Sequence, residues 1–255
     1  MITFGIDIGS ITTKGAIFKE GKILNTKVIF TGYNSEEAGK TILAELLKAS
    51  GLIETDIDKV VSTGYGRNNV SFADKTITEI SCHAAGAHFL NPEIRTIIDI
   101  GGQDSKVISV SEQGKVTDFS MNDKCAAGTG RFLEVMARAL EVNLDDFGQI
   151  SLQAEQPSKI SSLCTVFAES EVISLISKGE ARENIMAGIH ESVASRVSAM
   201  ARRVGIIDPV IMTGGVAKNI GVLRALEDQL NTKILVSASP QENGAIGAAI
   251  LAAKL

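Results

Sequence analysis

Two short stretches of this chain repeat one another in a pattern suited to phosphate chemistry. Asp7-Ile8-Gly9-Ser10-Ile11-Thr12-Thr13-Lys14 and Asp99-Ile100-Gly101-Gly102-Gln103-Asp104-Ser105-Lys106 carry Asp, Ile, Gly and Lys at the same offsets. Ile6 and Ile98 end the apolar run before each Asp, and a strand-like run with a hairpin-type turn follows each Lys, Glu20-Gly21-Lys22-Ile23 in one copy and Glu112-Gln113-Gly114-Lys115-Val116 in the other. A glycine at such a turn lets backbone N–H groups approach a phosphate, since no Cβ intervenes. Ser10, Thr12 and Thr13 add hydroxyl donors and Lys14 adds a point charge. An Asp just before the turn can hold Mg²⁺, directly or through water. A plain hairpin whose Asp caps the turn would explain one copy, but it explains a matched pair poorly. Two facing copies would clamp a triphosphate from both sides.

Two further glycine elements lie downstream. In Val210-Ile211-Met212-Thr213-Gly214-Gly215-Val216-Ala217-Lys218-Asn219 an apolar strand runs into Gly-Gly and then a helix. Such a turn lets a flat ring or ribose lie against the backbone, and a helix N-terminus favours anions; a tight connection would look the same. In Gln241-Glu242-Asn243-Gly244-Ala245-Ile246-Gly247-Ala248-Ala249 the small residues mark a close helix seam.

The cysteines carry a second chemistry. Cys125 and Cys164 each come just before a helical pattern, and a helix N-terminus stabilises a thiolate. Cys82, in Ser81-Cys82-His83-Ala84-Ala85-Gly86, reads instead as a small buried hydrophobe. Plain burial would also account for Cys125 and Cys164. An iron–sulfur cluster needs about four thiolates. One chain offers two well-placed ones, so a symmetric dimer would supply the set. A zinc site of the same composition is the alternative, although no close C-x-x-C-type pair is present.

The elements that must position these residues alternate. Strand-like runs are expected at Ile2–Ile8, Lys14–Phe18, Ile23–Phe30, Val60–Ser62, Thr96–Ile100, Val107–Val110, Val210–Met212 and Lys233–Val236, and helices at Glu36–Ser50, Thr78–Leu90, Thr129–Leu140, Val166–Lys178 and Ile185–Val204. Ser35 is the expected cap of the first helix and Gly51 its stop. The chain is therefore α/β, and the internal repeat implies two similar half-folds. Its 255 residues suffice for one large or two small cores. With 25 Lys and Arg against 30 Asp and Glu, and 4% aromatic residues, nothing marks a nucleic-acid partner. No apolar run approaches the ~18 residues of a membrane span, and residues 1–14 do not read as a signal peptide, so no membrane partner and a cytoplasmic location are expected.

Taken in order, the two Asp-x-Gly hairpins, the strand–Gly-Gly–helix and the terminal Gly/Ala helix resemble the actin, sugar-kinase and heat-shock-chaperone ATPase superfamily. The resemblance implies two RNase-H-like domains with ATP and Mg²⁺ in a cleft between them. These would be residues 1–93, with a helix at about 243–255 packing back, and residues 94–242, which carry the cysteines. Gln103-Asp104 departs from the Gly-Thr pair common in sugar kinases, and the chain is short for a sugar-binding insertion.

Ser62-Thr63-Gly64-Tyr65-Gly66-Arg67-Asn68, Asp99–Lys106, Asn122–Phe132, Cys164–Ser174 and Ala194-Ser195-Arg196-Val197 look like the ATP-dependent activators of 2-hydroxyacyl-CoA dehydratases, a family whose pattern benzoyl-CoA reductase ATPase subunits share. This resemblance runs from end to end. It implies a [4Fe-4S] cluster shared by a homodimer, with Cys125 and Cys164 of each protomer as ligands. It also implies that one electron from ferredoxin or flavodoxin passes, with ATP hydrolysis and a shift of the two domains, to a partner dehydratase or reductase iron–sulfur protein. In that scheme Ser10, Ile11, Thr12, Thr13 and Lys14 cradle phosphates together with Gly101 and Gly102. Asp7 and Asp99 organise Mg²⁺ or water, and Gln103 lies near the γ-phosphate. Gly214, Gly215 and Asn219 border the adenosine, with Gln241 nearby. The rival readings are a small-molecule kinase of the same superfamily and a non-redox ATP-binding regulator.

Overall fold

A computed structural model of the chain describes residues 1–161 and 164–255; Ser162 and Leu163, inside the block that leads to Cys164, lie outside the described residues. The elements run β1 (Ile2–Ile8), β2 (Thr12–Lys19), β3 (Lys22–Phe30), α1 (Ser35–Ser50), β4 (Lys59–Thr63), β5 (Lys75–Thr76), α2 (Glu79–Leu90), β6 (Thr96–Ile100), β7 (Ser105–Val110), β8 (Val116–Asn122), α3 (Gly130–Ala139), α4 (Leu144–Ser151), α5 (Thr165–Ser177), α6 (Arg182–Val204), β9 (Val210–Thr213), α7 (Ile220–Leu230), β10 (Ile234–Val236) and α8 (Asn243–Ala252). Two compact units emerge: residues 1–95, 110–117 and 237–255 form one, residues 96–109 and 118–236 the other.

The two sheets have the same topology. One is ordered β3-β2-β1-β4-β5 and the other β10-β9-β6-β7-β8, so β1 and β6 hold equivalent central places. β1 pairs antiparallel with β2 and parallel with β4. β6 pairs antiparallel with β7 and parallel with β9. The sequence repeat is thus a repeat of strand order, as an RNase-H-like pair of half-folds requires.

The central strands are apolar and buried on both faces, since helices cover them. In the first unit Phe4, Ile6, Ile8 and Ile17 pack on Ile42, Leu46 and Leu47 of α1. On the opposite face α8 lies between β1 and α2. That seam depends on missing side chains: a Cβ at Gly247 would overlap the carbonyl oxygen of Cys82, and one at Gly5 would overlap the backbone of α8. In the second unit Ile98, Ile100, Phe132, Met136, Phe147, Ile189 and Val193 share a core spanning β6, α3, α4 and α6.

Several boundaries differ from the sequence reading. β2 begins at Thr12 and not Lys14, because β-branched Thr12 and Thr13 fit a pleated ladder, with Thr13 paired to Ile8 and Ile29. The cap of α1 is Asn34, whose Oδ1 accepts from the Glu37 N–H; Ser35 is the first helical residue. Gly51 ends α1 as expected, in the left-handed region at φ 65°. After Gly214 the chain makes a 3₁₀ turn, Gly215–Lys218, and α7 starts only at Ile220. No helix among the described residues is long and apolar enough to cross a membrane.

Candidate functional site

The first hairpin places Asp7 opposite Lys14 in the β1–β2 ladder, with Nζ 3.4 Å from Oδ2. Asp7 is 5% exposed. The turn between the strands closes through the Gly9 N–H, which donates to the Thr12 carbonyl at 3.0 Å. Ser10 is exposed at its tip and Ile11 and Thr12 are half-buried. Thr13 differs from its neighbours in the expected cradle. Its side chain is fully buried and its hydroxyl lies 3.0 Å from that of Thr31, which donates to the Gly9 carbonyl at 2.8 Å. The Thr13 hydroxyl braces the turn from inside, whereas Ser10 is exposed and Thr12 and Lys14 are half-buried.

The second hairpin repeats this geometry. Asp99 faces Lys106 across β6 and β7, again at 3.4 Å, and the Gly101 N–H donates to the Asp104 carbonyl at 2.9 Å. Two additions distinguish it. Asp104, at the position of Thr12, takes Lys106 Nζ at 2.7 Å, and the Thr213 hydroxyl donates to Asp99 Oδ1 at 2.7 Å. Lys106 is only 2% exposed, so it holds two carboxylates together where Lys14 has solvent access. Gln103 sits exposed at the tip with Gly101 and Gly102 half-buried beside it.

Around the Gly-Gly turn, Gly214 is buried at φ +86°, and a Cβ there would overlap the Ile100 carbonyl at the end of β6. Gly215 is exposed and open to a ligand. Asn219 has a structural duty: its Oδ1 accepts from the N–H groups of Gly221 and Val222, at 3.0 and 3.1 Å, and caps α7. Gln241 lies in the turn before α8, in the other unit.

The cysteines occupy two different helix approaches. Cys164 is the N-cap residue of α5 and is exposed, and its side chain makes no hydrogen bond to the first amides of the helix. Cys125 is half-buried in the loop that leads to Thr129, the cap of α3, so it lies five residues ahead of the helix and not at its start. Asn122 staples that loop: its Nδ2 donates to the carbonyls of Cys125, at 2.8 Å, and Ala127, at 3.1 Å. α3 and α5 pack against each other. The hairpin and the cysteine loop are joined directly, because the Gly130 and Arg131 N–H groups at the start of α3 donate to the Gly101 and Gly102 carbonyls, both at 2.8 Å. Cys82 is fully buried in α2, and burial pushes its thiol up to about 12.

Sequence reasoning missed Thr213 and the clamp on Lys106. The repeated seven-residue Asp-to-Lys spacing pointed to Lys106, but no local signal pairs Asp99 with a threonine 114 residues away.

Known proteins match this chain along its whole length. A 2-hydroxyisocaproyl-CoA dehydratase activator from Clostridioides difficile is 51% identical over 99% of this chain and 95% of its own length. A solved structure described as that activator with bound ADPNP superposes with a TM-score of 0.92, covering 99% of this chain and 94% of that one at 51% identity. The (R)-2-hydroxyglutaryl-CoA dehydratase activating ATPase of Acidaminococcus fermentans is 51% identical over 99% of this chain and 97% of its length. One of the subunits of benzoyl-CoA reductase from Thauera aromatica is 37% identical over 98% of this chain and 92% of its length. Residues 4–252, which hold both hairpins, the Gly-Gly turn, Cys125 and Cys164, match one family throughout, and the chain belongs to the BadF/BadG/BcrA/BcrD ATPase family.

Proposed function

We propose that this protein is an ATP-hydrolysing iron–sulfur activator that delivers one low-potential electron to a 2-hydroxyacyl-CoA dehydratase or a related iron–sulfur reductase, with ferredoxin or flavodoxin as donor. The observation that carries the reading is the pair of hydrogen bonds from the first amides of α3 to the Gly101 and Gly102 carbonyls. They tie the loop suited to a nucleotide phosphate to the helix that follows Cys125. A change in the loop when the γ-phosphate leaves is therefore felt at the cysteine loop through two bonds of 2.8 Å.

The donor set fits an iron–sulfur cluster. Two accessible thiols stand ahead of two helices that pack side by side, and two is half of the roughly four thiolates such a cluster takes. A second copy supplies the other half. Val166 and Phe167, 66% and 67% exposed beside Cys164, together with Ile173 and Ile176, give that copy an apolar surface to bury. When bound, the cluster supplies a one-electron donor whose potential follows the dipoles, hydrogen bonds and solvent around its sulfurs. Lys14, Ser10, Thr12 and the backbone amides of both hairpins hold the phosphates; Asp7 and Asp99 hold Mg²⁺ or the attacking water; Gln103 stands at the γ-phosphate end. Gly214 and Gly215 accept the adenosine, with Asn219 shaping the turn beneath it and Gln241 contributing from the turn before α8.

The test is reactivation of a resting 2-hydroxyacyl-CoA dehydratase. The native protein with ATP and a reductant restores dehydration, and Cys125→Ala does not, although it binds ADP normally. ADP release that depends on a small-molecule phosphoryl acceptor would replace the reading with a kinase, and absence of hydrolysis would replace it with a regulator.

A further inference from the structure

Asp99 is held at both of its carboxylate oxygens, and only one of the two holds has a counterpart in the first hairpin. Its Oδ2 faces Lys106 Nζ at 3.4 Å, as the Asp7 Oδ2 faces Lys14. Its Oδ1 accepts from the Thr213 hydroxyl at 2.7 Å. The three side chains are shut away from solvent, with Thr213 0%, Asp99 2% and Lys106 2% exposed. A hydrogen bond to an ionised acceptor is stronger than one between neutral groups, and burial strengthens it further. Because the two contacts meet different oxygens, they fix the plane of the carboxylate as well as its rotamer.

Strand pairing alone does not produce the threonine bond. Thr213 lies opposite Asp99 in the parallel β6–β9 ladder, and Thr63 lies opposite Asp7 in the parallel β1–β4 ladder. The residue type and the register are the same, and both threonines are fully buried. Yet among the described residues the Thr63 hydroxyl makes no hydrogen bond to Asp7. Lys106 is also a less dedicated partner for Asp99 than Lys14 is for Asp7, because it lies closer to Asp104, at 2.7 Å. The shorter contact to Asp99 is therefore the one from Thr213. Thr213 ends β9 and leads directly into Gly214 and Gly215, the turn assigned above to the adenosine.

We propose that Thr213 is the positioning residue for Asp99: its hydroxyl, carried on the end of β9, holds Oδ1 so that the carboxylate presents a single geometry to the phosphate end of the nucleotide. This rests on Asp99 being an acid that organises Mg²⁺ or water during ATP hydrolysis. Thr213 touches no reacting atom and acts only through Asp99.

The test compares Thr213→Val, which keeps the shape and removes the hydroxyl, with Thr213→Ser, which keeps the hydroxyl, and with Asp99→Asn. The full-length proteins are read by kcat and KM for MgATP hydrolysis, ADP affinity without Mg²⁺, and Tm. Loss of an outer-shell hydrogen bond typically costs about ten- to a hundredfold in activity, so Thr213→Val lowers kcat by about tenfold or more. ADP affinity without Mg²⁺ stays within about twofold of native, because the loss belongs to the transition state and not to nucleotide binding. Thr213→Ser recovers most of the loss in kcat. Should Thr213→Val fail to fold, Thr213→Ser against Thr213→Ala, which differ by the hydroxyl oxygen alone, gives the same comparison. Equal kcat in the Ser variant and the hydroxyl-free variant overturns the proposal, whether both match the native protein or both fall together with Tm. A fall in ADP affinity as large as the fall in kcat also overturns it, since the glycine turn and not the carboxylate would then be disturbed. Native kcat in Asp99→Asn overturns the underlying assignment of Asp99 instead.

Discussion

Lys14 and Lys106 occupy the same register position against Asp7 and Asp99, yet the structure gives them different work. Lys14 is 15% exposed at its side chain and meets one carboxylate; Lys106 is 2% exposed and meets two. Removing one member of a buried ion pair costs about 3–5 kcal/mol, because the remaining charge stays in a poorly solvated place. Lys106→Met is therefore expected to lower stability by about that amount, read as a shift of the urea midpoint. Lys14→Met costs less stability and weakens ATP and ADP binding by about tenfold or more, read by calorimetric titration. The offset of seven residues was legible in the sequence because it is a local hairpin property. The capture of Asp99 by Thr213 was not, since it depends on β6 and β9 being brought together by the fold.

His190 makes a second case at this scale. It is 1% exposed, edge-on to Phe147, and neither ring nitrogen finds a partner among the described residues. Burial pushes its imidazole down to about 3. The folded state keeps it neutral while the unfolded chain protonates it below about 6.5, so the unfolded state binds more protons as pH falls. Stability is full above pH 6.5 and is lost progressively towards pH 3, at about 1.4 kcal/mol per pH unit. Urea midpoints at pH 7.5 and 5.5 check this, and His190→Leu is expected to reduce the difference between them.

At the scale of elements, the helix packed most tightly is the one with the smallest side chains. α8 runs Asn-Gly-Ala-Ile-Gly-Ala-Ala-Ile-Leu-Ala and is buried almost throughout between β1 and α2. Gly247→Ala forces a methyl group into the Cys82 carbonyl, and relief requires α2 and α8 to move apart. The expected cost is about 2 kcal/mol or more, read as a fall in Tm, with nucleotide-dependent behaviour weakened because Asp7 lies at the end of β1 against the same helix. The composition of α8 made this seam readable in advance. α4 escaped notice, since Leu-Asp-Asp-Phe-Gly-Gln-Ile-Ser carries two Asp and a Gly that suit a helix poorly. Its helical form follows from tertiary packing: Phe147 enters the core, and a Cβ at Gly148 would press on the Asn219 side chain at 2.7 Å. The cap at Asn34 was misplaced by one residue, because Asn and Ser stand together and both serve that role.

At the scale of the whole molecule, the repeated strand order accounts for two hairpins of the same design, and the long region after β8 carries Cys125 and Cys164. The repeat was visible in sequence because chemistry fixes its residues. In the proposed cluster Cys125 and Cys164, which the family resemblance singled out, are half of the roughly four thiolates needed, and a second copy of the chain would supply the rest. The measurement that bears most directly on the shared cluster is the content of iron and acid-labile sulfide in protein purified without oxygen. A cluster held between two copies predicts about four of each per two chains, lost in Cys125→Ala. Absence of iron from the native protein after anaerobic reconstitution would contradict it.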